Sequence, residues 1–267
     1  MVVKSALLDA APFPFLVVRF ISAGLLMWLV LARGRIDPKV IGPALLLGVF
    51  LFAGYAFQTW GLLTTTPSKS AFITGFSVIL VPVVSLGFGY RMRAANVAGA
   101  ALGLMGLYFL VMPSRLESVN RGDILTLLCA ISFAIHIVLV GVYTRRLSFL
   151  HFAPAQILVV GLFSIVALPF SPPWVVHWTP RLVWAIAITA IFATGVAFAG
   201  QIWAQKYTPP AHTALIFALE PVFAALTSCL FAGEHLGSRM LLGSAFVLAG
   251  MVISETWGAA APSPVKG

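Results

Sequence analysis

Charged side chains are scarce in this chain of 267 residues. They account for 9% of the sequence, whereas 61% of the residues are hydrophobic. Soluble domains carry about 25% charged residues. The mean hydropathy is high, at +1.05. This composition excludes an ordinary soluble domain and predicts an integral membrane protein.

Cysteine is nearly absent as well. The sequence contains Cys129 and Cys229, and both fall inside apolar stretches. This placement excludes an extracellular disulfide framework. We interpret both cysteines as small apolar side chains.

Residues that could perform chemistry are also few. The sequence has seven acidic residues, no HExxH motif and no two acidic residues within three positions of each other. An intramembrane enzyme needs clustered carboxylates, a metal constellation or a nucleophile beside a base. We therefore expect no enzymatic activity, no metal and no cofactor. The net charge of +9 comes from Lys and Arg scattered through short loops, and the lack of a basic run argues against nucleic acid.

Nine apolar stretches are long enough to cross the hydrocarbon core as helices, which takes about 20 residues each. The first residues, Met1 to Leu8, are too short to cross and have no signal-peptide pattern. The predicted spans are Phe15–Leu31, Ile41–Leu63, Ser70–Gly89, Ala94–Met112, Ile124–Tyr143, Pro154–Phe170, Leu182–Ala204, Ala211–Ala232 and Met240–Trp257.

The loops between the predicted spans differ in positive charge. Nine Lys and Arg residues lie on one side and five on the other, and the richer side is expected to be cytoplasmic. The nine are Arg33, Arg35, Lys39, Arg91, Arg93, Arg145, Arg146, Lys206 and Lys266; the five are Lys69, Arg115, Arg121, Arg181 and Arg239. This asymmetry predicts a cytoplasmic C-terminus.

The segment Gln58–Ile73 returns 143 residues later as Gln201–Ile216, without a gap. Six of its sixteen positions match: Gln58/Gln201, Trp60/Trp203, Thr65/Thr208, Pro67/Pro210, Ala71/Ala214 and Ile73/Ile216. Similarity at a fixed offset indicates duplication. Five predicted spans end between the two copies, so the halves are predicted to lie in opposite orientations. Inverted repeats of this kind recur in secondary transporters.

Ionisable side chains inside membrane spans are functional candidates by default. Glu220 lies near the middle of its span, where it could couple transport to protons, bind a cationic group of the substrate or serve a structural role. His136 is either a partner for Glu220 or a histidine bonded between helices. Arg19, near the start of its predicted span, is expected to snorkel to the interface. Weaker candidates are Gln156, Thr189 and Thr194.

Three segments resemble the EamA-type transporters of the drug/metabolite transporter superfamily: GYAFQTWGLLTTTPSKSAFITGFSVILVPV, GDILTLLCAISFAIHIVLVG and QIWAQKYTPPAHTALIFALEPVFAALTSCLFAGEHL. The resemblance covers nearly the whole chain. It implies ten helices in two inverted five-helix halves, cytoplasmic termini, and export or exchange of small metabolites such as amino acids. It places a first repeat at residues 1–113, a second at 122–258 and a disordered tail at 259–267.

The sequence departs from the pattern of this family at two places. The first helix is mostly missing, because MVVKSALL matches only its end, and we expect the natural chain to extend upstream of Met1. The residues YRMR, Tyr90 to Arg93, stand where the second half has Gly233 and Glu234. Any role of that acidic position is therefore confined to one half.

The predicted fold is an all-α membrane protein, a bundle of nine full transmembrane helices plus an N-terminal stub in two inverted repeats. The predicted function is a secondary transporter, a permease or exporter that moves a small, amino-acid-like metabolite across the cytoplasmic membrane by alternating access. A non-transporting membrane subunit is the alternative, and an intramembrane enzyme is a weaker one. The expected partners are the substrate and the bilayer, and both a monomer and a homodimer remain open.

Two groups of residues are predicted to act in transport. Candidates for substrate binding or coupling are Glu220, His136, Tyr55, Phe198 and Ser77. Candidates for paired gates at opposite ends of the protein are Gln58, Trp60, Gln201 and Trp203. For the two tryptophans, simple anchoring at the membrane interface is the alternative.

Overall fold

The computed structural model describes residues 2–111, 119–170, 174–220, 222–223 and 237–258. These ranges are almost wholly helical, and the β pairing found in them is one isolated antiparallel bridge between Ala10 and Val176. The helices are α1 Val2–Ala6, α2 Pro12–Val30, α3 Ile41–Gly61, α4 Pro67–Gly75, α5 Ser77–Leu86, α6 Ala94–Val111, α7 Arg121–Tyr143, α8 Phe149–Ala167, α9 Pro180–Ala190, α10 Ala197–Ala204, α11 Pro210–Phe217 and α12 Ser238–Gly258.

Six segments in the described ranges are long and apolar enough to cross a membrane. They are Pro12–Val30, Pro38–Gly61, Pro67–Leu86, Arg121–Tyr143, Phe149–Phe170 and Pro180–Ala204, and two shorter apolar helices are Ala94–Leu110 and Ser238–Ser254. The prediction of a helical, multi-pass membrane protein is confirmed at this level. The predicted span 211–232 lies partly outside the described residues. Cys229, Glu234 and the predicted tail 259–267 lie wholly outside them.

Prolines begin several of these helices. Pro12, Pro67, Pro180 and Pro210 each lie in the first turn, where a missing N–H costs nothing because that group has no partner inside the helix. The side chains of Thr66 and Thr179 each accept a hydrogen bond from the backbone N–H three residues further on and cap α4 and α9. The sequence-predicted spans treated these prolines as breaks, so they began up to three residues too late.

Three apolar clusters hold the described helices together. The largest joins α2, α3, α7, α8, α9 and α10 through side chains such as Phe20, Leu47 and Ile157. A second joins α5, α6, α11 and α12 through Val78, Leu107 and others, and a third joins α5, α7 and α11. The most extensive helix contacts are those of α6 with α12, α3 with α7, and α2 with α8.

Glycines set the contact between α6 and α12. A Cβ on Gly99 would lie 2.6 Å from the carbonyl oxygen of Gly250, and one on Gly106 would lie 2.6 Å from that of Gly243. The two backbones can approach this closely because neither glycine carries a side chain. Gly99 therefore makes its close contact within the chain.

Two ion pairs tie helix starts together at one end of the bundle. Lys69 of α4 lies 2.7 Å from the carboxylate of Asp123 in α7, with both side chains buried. Thr65 also donates to Asp123, and Asn120 and Asp123 cap each other's backbone N–H groups. In the second pair, Arg181 at the start of α9 makes two 2.7 Å hydrogen bonds to Asp9, which precedes α2.

Candidate functional site

Tyr55 of α3 lies at the centre of an aromatic cluster inside the bundle. Its ring centroid is 4.8 Å from that of Phe20, 5.2 Å from Phe133 and 6.2 Å from Phe198, all with edge-to-face geometry. Such pairs are favourable beyond their buried area. Four helices, α2, α3, α7 and α10, therefore meet at one point.

Two of the predicted site residues are brought together here. Tyr55 and Phe198 are separated by 198 − 55 = 143 positions, the offset at which Gln58–Ile73 resembles Gln201–Ile216. Their ring centroids lie 6.2 Å apart.

Arg19 of α2 is the cation of this cluster. Its side chain is 3% exposed, and its guanidinium carbon lies 4.7 Å from the Tyr55 ring and 5.1 Å from the Phe20 ring. The Nε atom donates a hydrogen bond of 2.9 Å to Thr194 Oγ1, and a terminal nitrogen donates one of 3.4 Å to the carbonyl of Ala193.

The expectation that Arg19 snorkels to the membrane interface is wrong. Helix α2 begins at Pro12, so Arg19 is its eighth residue rather than one near the end. The side chain points into the bundle, where Tyr55 and Phe20 supply cation–π contacts in place of water. A sequence signal for this was present: Arg19 is the one Lys or Arg inside any of the nine predicted spans.

An irregular turn supplies the oxygen atoms that Arg19 contacts. Between α9 and α10 the chain forms a π-helical turn over Ile191–Val196. One additional residue in a turn displaces backbone carbonyls from their usual partners. Ala193 and Thr194 belong to this turn, and both accept hydrogen bonds from Arg19.

His136 of α7 lies on the far side of Phe198, with ring centroids 6.0 Å apart. It is buried, and its Nε2 atom is 3.4 Å from Oε1 of Gln156 in α8. The amide nitrogen of Gln156 is buried and has no hydrogen-bond partner in the described part of the chain. His136 is therefore hydrogen-bonded to Gln156 of the neighbouring helix α8. Gln156 was itself one of the weaker candidates from the sequence.

Ser77 and Glu220 are 143 positions apart, the offset of the sequence similarity described above. Each follows a helix break: α4 ends at Gly75 just before Ser77, and α11 ends at Phe217 shortly before Glu220. Ser77 is half-buried and Glu220 is exposed.

The four predicted gate residues lie near the ends of α3 and α10. Gln58 donates to Thr74 at 3.4 Å, and Gln201 donates to Gln205 at 2.9 Å. Trp60 and Trp203 are both largely exposed, which suits anchoring as well as gating.

The two sets of gate residues lie at opposite ends of α7. The end of α3 touches α7 at Gly122, whereas Gln205, just beyond α10, donates a hydrogen bond to the carbonyl of Ile137. The 15 residues between these points correspond to about 22 Å along a helix.

No three His, Cys, Asp or Glu side chains in the described ranges lie close enough to hold a metal ion. The cluster consists of one cation, one histidine and aromatic rings within an apolar bundle. This arrangement can recognise a small molecule by stacking and by a few polar contacts.

The fold and the cluster define a multi-pass integral membrane protein with the buried ionisable residues Arg19 and His136 inside its helical bundle. The model of the EamA-like transporter family matches residues 1–112 and again residues 120–256. The chain belongs to the EamA-like transporter family. The resemblance seen in the sequence is thereby confirmed.

Curated relatives cover most of the chain. An uncharacterized transporter of Archaeoglobus fulgidus is 35% identical over 259 residues, which are 94% of this chain and 79% of that protein. A second uncharacterized transporter of the same organism is 27% identical, covering 83% of this chain and 77% of that protein. A WAT1-related chloroplastic protein of Arabidopsis thaliana is 26% identical, covering 92% of this chain and 63% of that protein.

A solved structure matches the fold. A crystal structure of a protein superposes with a TM-score of 0.79 at 20% identity, covering 94% of this chain and 90% of that one. At this level of identity the similarity shows the fold alone.

Proposed function

We propose that this chain is a secondary transporter that moves a small, amino-acid-like metabolite across the cytoplasmic membrane by alternating access. The observation that carries the proposal is the contact of Tyr55 with Phe198, equivalent residues of the two halves, beside the buried Arg19 and His136. Ionisable side chains enclosed by apolar helices are energetically costly, and they are therefore rare except at functional sites.

The packing of the helices supports two inverted halves, residues 1–113 and 122–258. By the offset of 142–144 residues, α3 corresponds to the segment from α9 to α10, α2 to α8 and α1 to the end of α7. Exchanging the halves then turns the pair α3 and α7 into the pair α9 and α1. Both pairs are in contact. Likewise, the contact of α3 with α8 has its counterpart in the contacts that α9 and the π-helical turn make with α2. Two separate matches to one family model also support duplication.

The charge asymmetry of the loops supports a cytoplasmic C-terminus. On this orientation, the ends of α2 and α10 face the cytoplasm, and the ion pairs Lys69–Asp123 and Asp9–Arg181 face the outside. The partners of the chain are then its substrate and the bilayer.

The decisive test is transport by the purified chain in lipid vesicles. We expect time-dependent accumulation or efflux of at least one compound from a panel of amino acids, amines and small organic acids, driven by a pH gradient or by counter-substrate. Protein-free vesicles are the control. A chain that is folded and inserted, yet moves no compound under either driving force, would instead be a membrane subunit.

A further inference from the structure

We propose that Arg19 is the binding point for a carboxylate of the substrate. This inference rests on the transporter function proposed above and adds to it the charge that the substrate must carry. Arg19 lies in the middle of the bundle, next to the ring of Tyr55 where the two halves meet.

The first argument is the missing countercharge. A buried cation is costly unless it is paired, and each of the two ion pairs in the described residues uses a different base, Lys69 or Arg181. No carboxylate of those ranges lies within 4.0 Å of Arg19. The cation is held by two rings, a hydroxyl and a carbonyl oxygen, all of them neutral.

The second argument is the donors that remain. A guanidinium has five N–H donors in a planar fork that matches a carboxylate. Thr194 and Ala193 take two of them, and a contact with the Tyr55 hydroxyl would take a third. At least two donors are left for a ligand.

The third argument is that the architecture does not require this charge. Pro12 and Leu16 of α2 recur as Pro154 and Leu158 in α8, at an offset of 142, and this offset relates Arg19 to Gly161. Gly161 is buried against Ile21. The second half therefore packs the same position with no charge at all.

The test compares ligands that differ only in this group. The probes are L-leucine, L-phenylalanine and 3-phenylpropionate, each paired with its carboxamide. Affinity is measured with the purified chain in detergent by calorimetry and by competition, and transport is measured in vesicles. We expect the best-bound carboxylate to bind about tenfold or more tightly than its amide, because a fork-shaped pair with a charged acceptor is lost in the amide.

Variants then assign this preference to Arg19. In Arg19→Gln the carboxylate and the amide should bind within about twofold of each other, and Arg19→Lys should retain part of the difference because it keeps the charge without the fork. Arg181→Gln is the matched control. It removes an arginine that pairs with Asp9 outside the cluster, and it should retain the full preference for the carboxylate.

The outcomes separate the two proposals. Equal binding of acid and amide by the unaltered chain overturns the inference, even if Arg19→Gln fails to fold. Transport of only neutral or cationic compounds overturns it as well, while the transporter function stands. Preferential binding of carboxylates without any transport would support the site and overturn the transporter. Neither binding nor transport of any probe would overturn both.

Discussion

At the scale of single residues, the pair formed by Asp9 and Arg181 has a pH signature. The two hydrogen bonds from Arg181 hold the pKa of Asp9 down, at about 2 instead of 3.8, with Thr179 as a further donor. A carboxylate whose folded-state pKa is lowered stabilises the fold above its unfolded pKa, and that stability is lost as the pH falls towards the folded value.

We therefore expect Asp9→Asn to lower the melting temperature in detergent by a constant amount between pH 7 and pH 4. The difference from the unaltered chain should shrink below pH 4 and become small as the pH falls through about 2, the pKa of the native carboxyl. Melting curves of both proteins across this range provide the measurement. A full difference that persists at pH 2 would mean that the ion pair is not its source.

Glu220 lies near the middle of a predicted span, and it follows the break at the end of α11. If it couples transport to protons, we expect Glu220→Gln to abolish movement driven by a pH gradient while exchange of substrate for substrate persists. Uptake by vesicles with and without the gradient measures both activities. Asp37→Asn is the control, because Asp37 caps a short 3-10 helix at Lys39 in a loop. Unchanged gradient-driven uptake in Glu220→Gln would remove this residue from the mechanism.

The sequence located some residues of the cluster and misplaced others. Tyr55 and Phe198 were both sequence candidates, and the offset of 143 residues that relates them is visible in the sequence without knowing any contact. Arg19 was misplaced because the prolines before it were taken for a turn, although proline is favourable in the first turn of a helix. The π-helical turn that holds Arg19 has no comparable signature in IFATGV, since it depends on packing against α2.

At the scale of helices, the close contact between α6 and α12 depends on four glycines, which carry no side chain: Gly99, Gly106, Gly243 and Gly250. We expect Gly99→Ala to lower the free energy of unfolding by about 1–3 kcal/mol, because its Cβ would meet the carbonyl of Gly250 in a rigid backbone. Gly200→Ala in α10 is the matched control, since no atom lies within 4 Å of its would-be Cβ. Alanine is the better helix former, so the control should be neutral or slightly stabilising.

Denaturant or thermal unfolding of both glycine variants in one detergent provides the measurement. Equal stabilities of Gly99→Ala and Gly200→Ala would show that α6 and α12 separate easily. The sequence alone does not pair Gly99 with Gly250 or Gly106 with Gly243, because these pairs depend on how α6 and α12 pack in three dimensions.

At the scale of the whole molecule, the repeated glutamines lie at opposite ends of α7. If they are paired gates, Gln58→Ala should hinder access from the outside and Gln201→Ala access from the cytoplasm, because each removes a hydrogen bond at one end only. The measurement is the half-saturating substrate concentration in right-side-out and inside-out vesicles. Trp60→Phe and Trp203→Phe serve as controls for anchoring. Small, equal effects of both Ala variants from both sides would leave only an anchoring role.

The two ion pairs lie at the same end of the bundle, joined through α1, because Lys4 donates to the carbonyl of Thr65 next to the Lys69–Asp123 pair. At the opposite end, no ion pair is found in the described part of the chain. If the chain works by alternating access as proposed, opening at the paired end must hydrate the buried pair Lys69–Asp123 and the carboxylate of Asp9, whereas Arg181 is already half exposed. We therefore expect the two half-cycles to differ in rate. Raising the ionic strength from about 0.05 M to about 0.5 M should weaken the partly exposed pair Asp9–Arg181 more than the buried one, and should change the rate of opening at the paired end more than the rate at the opposite end.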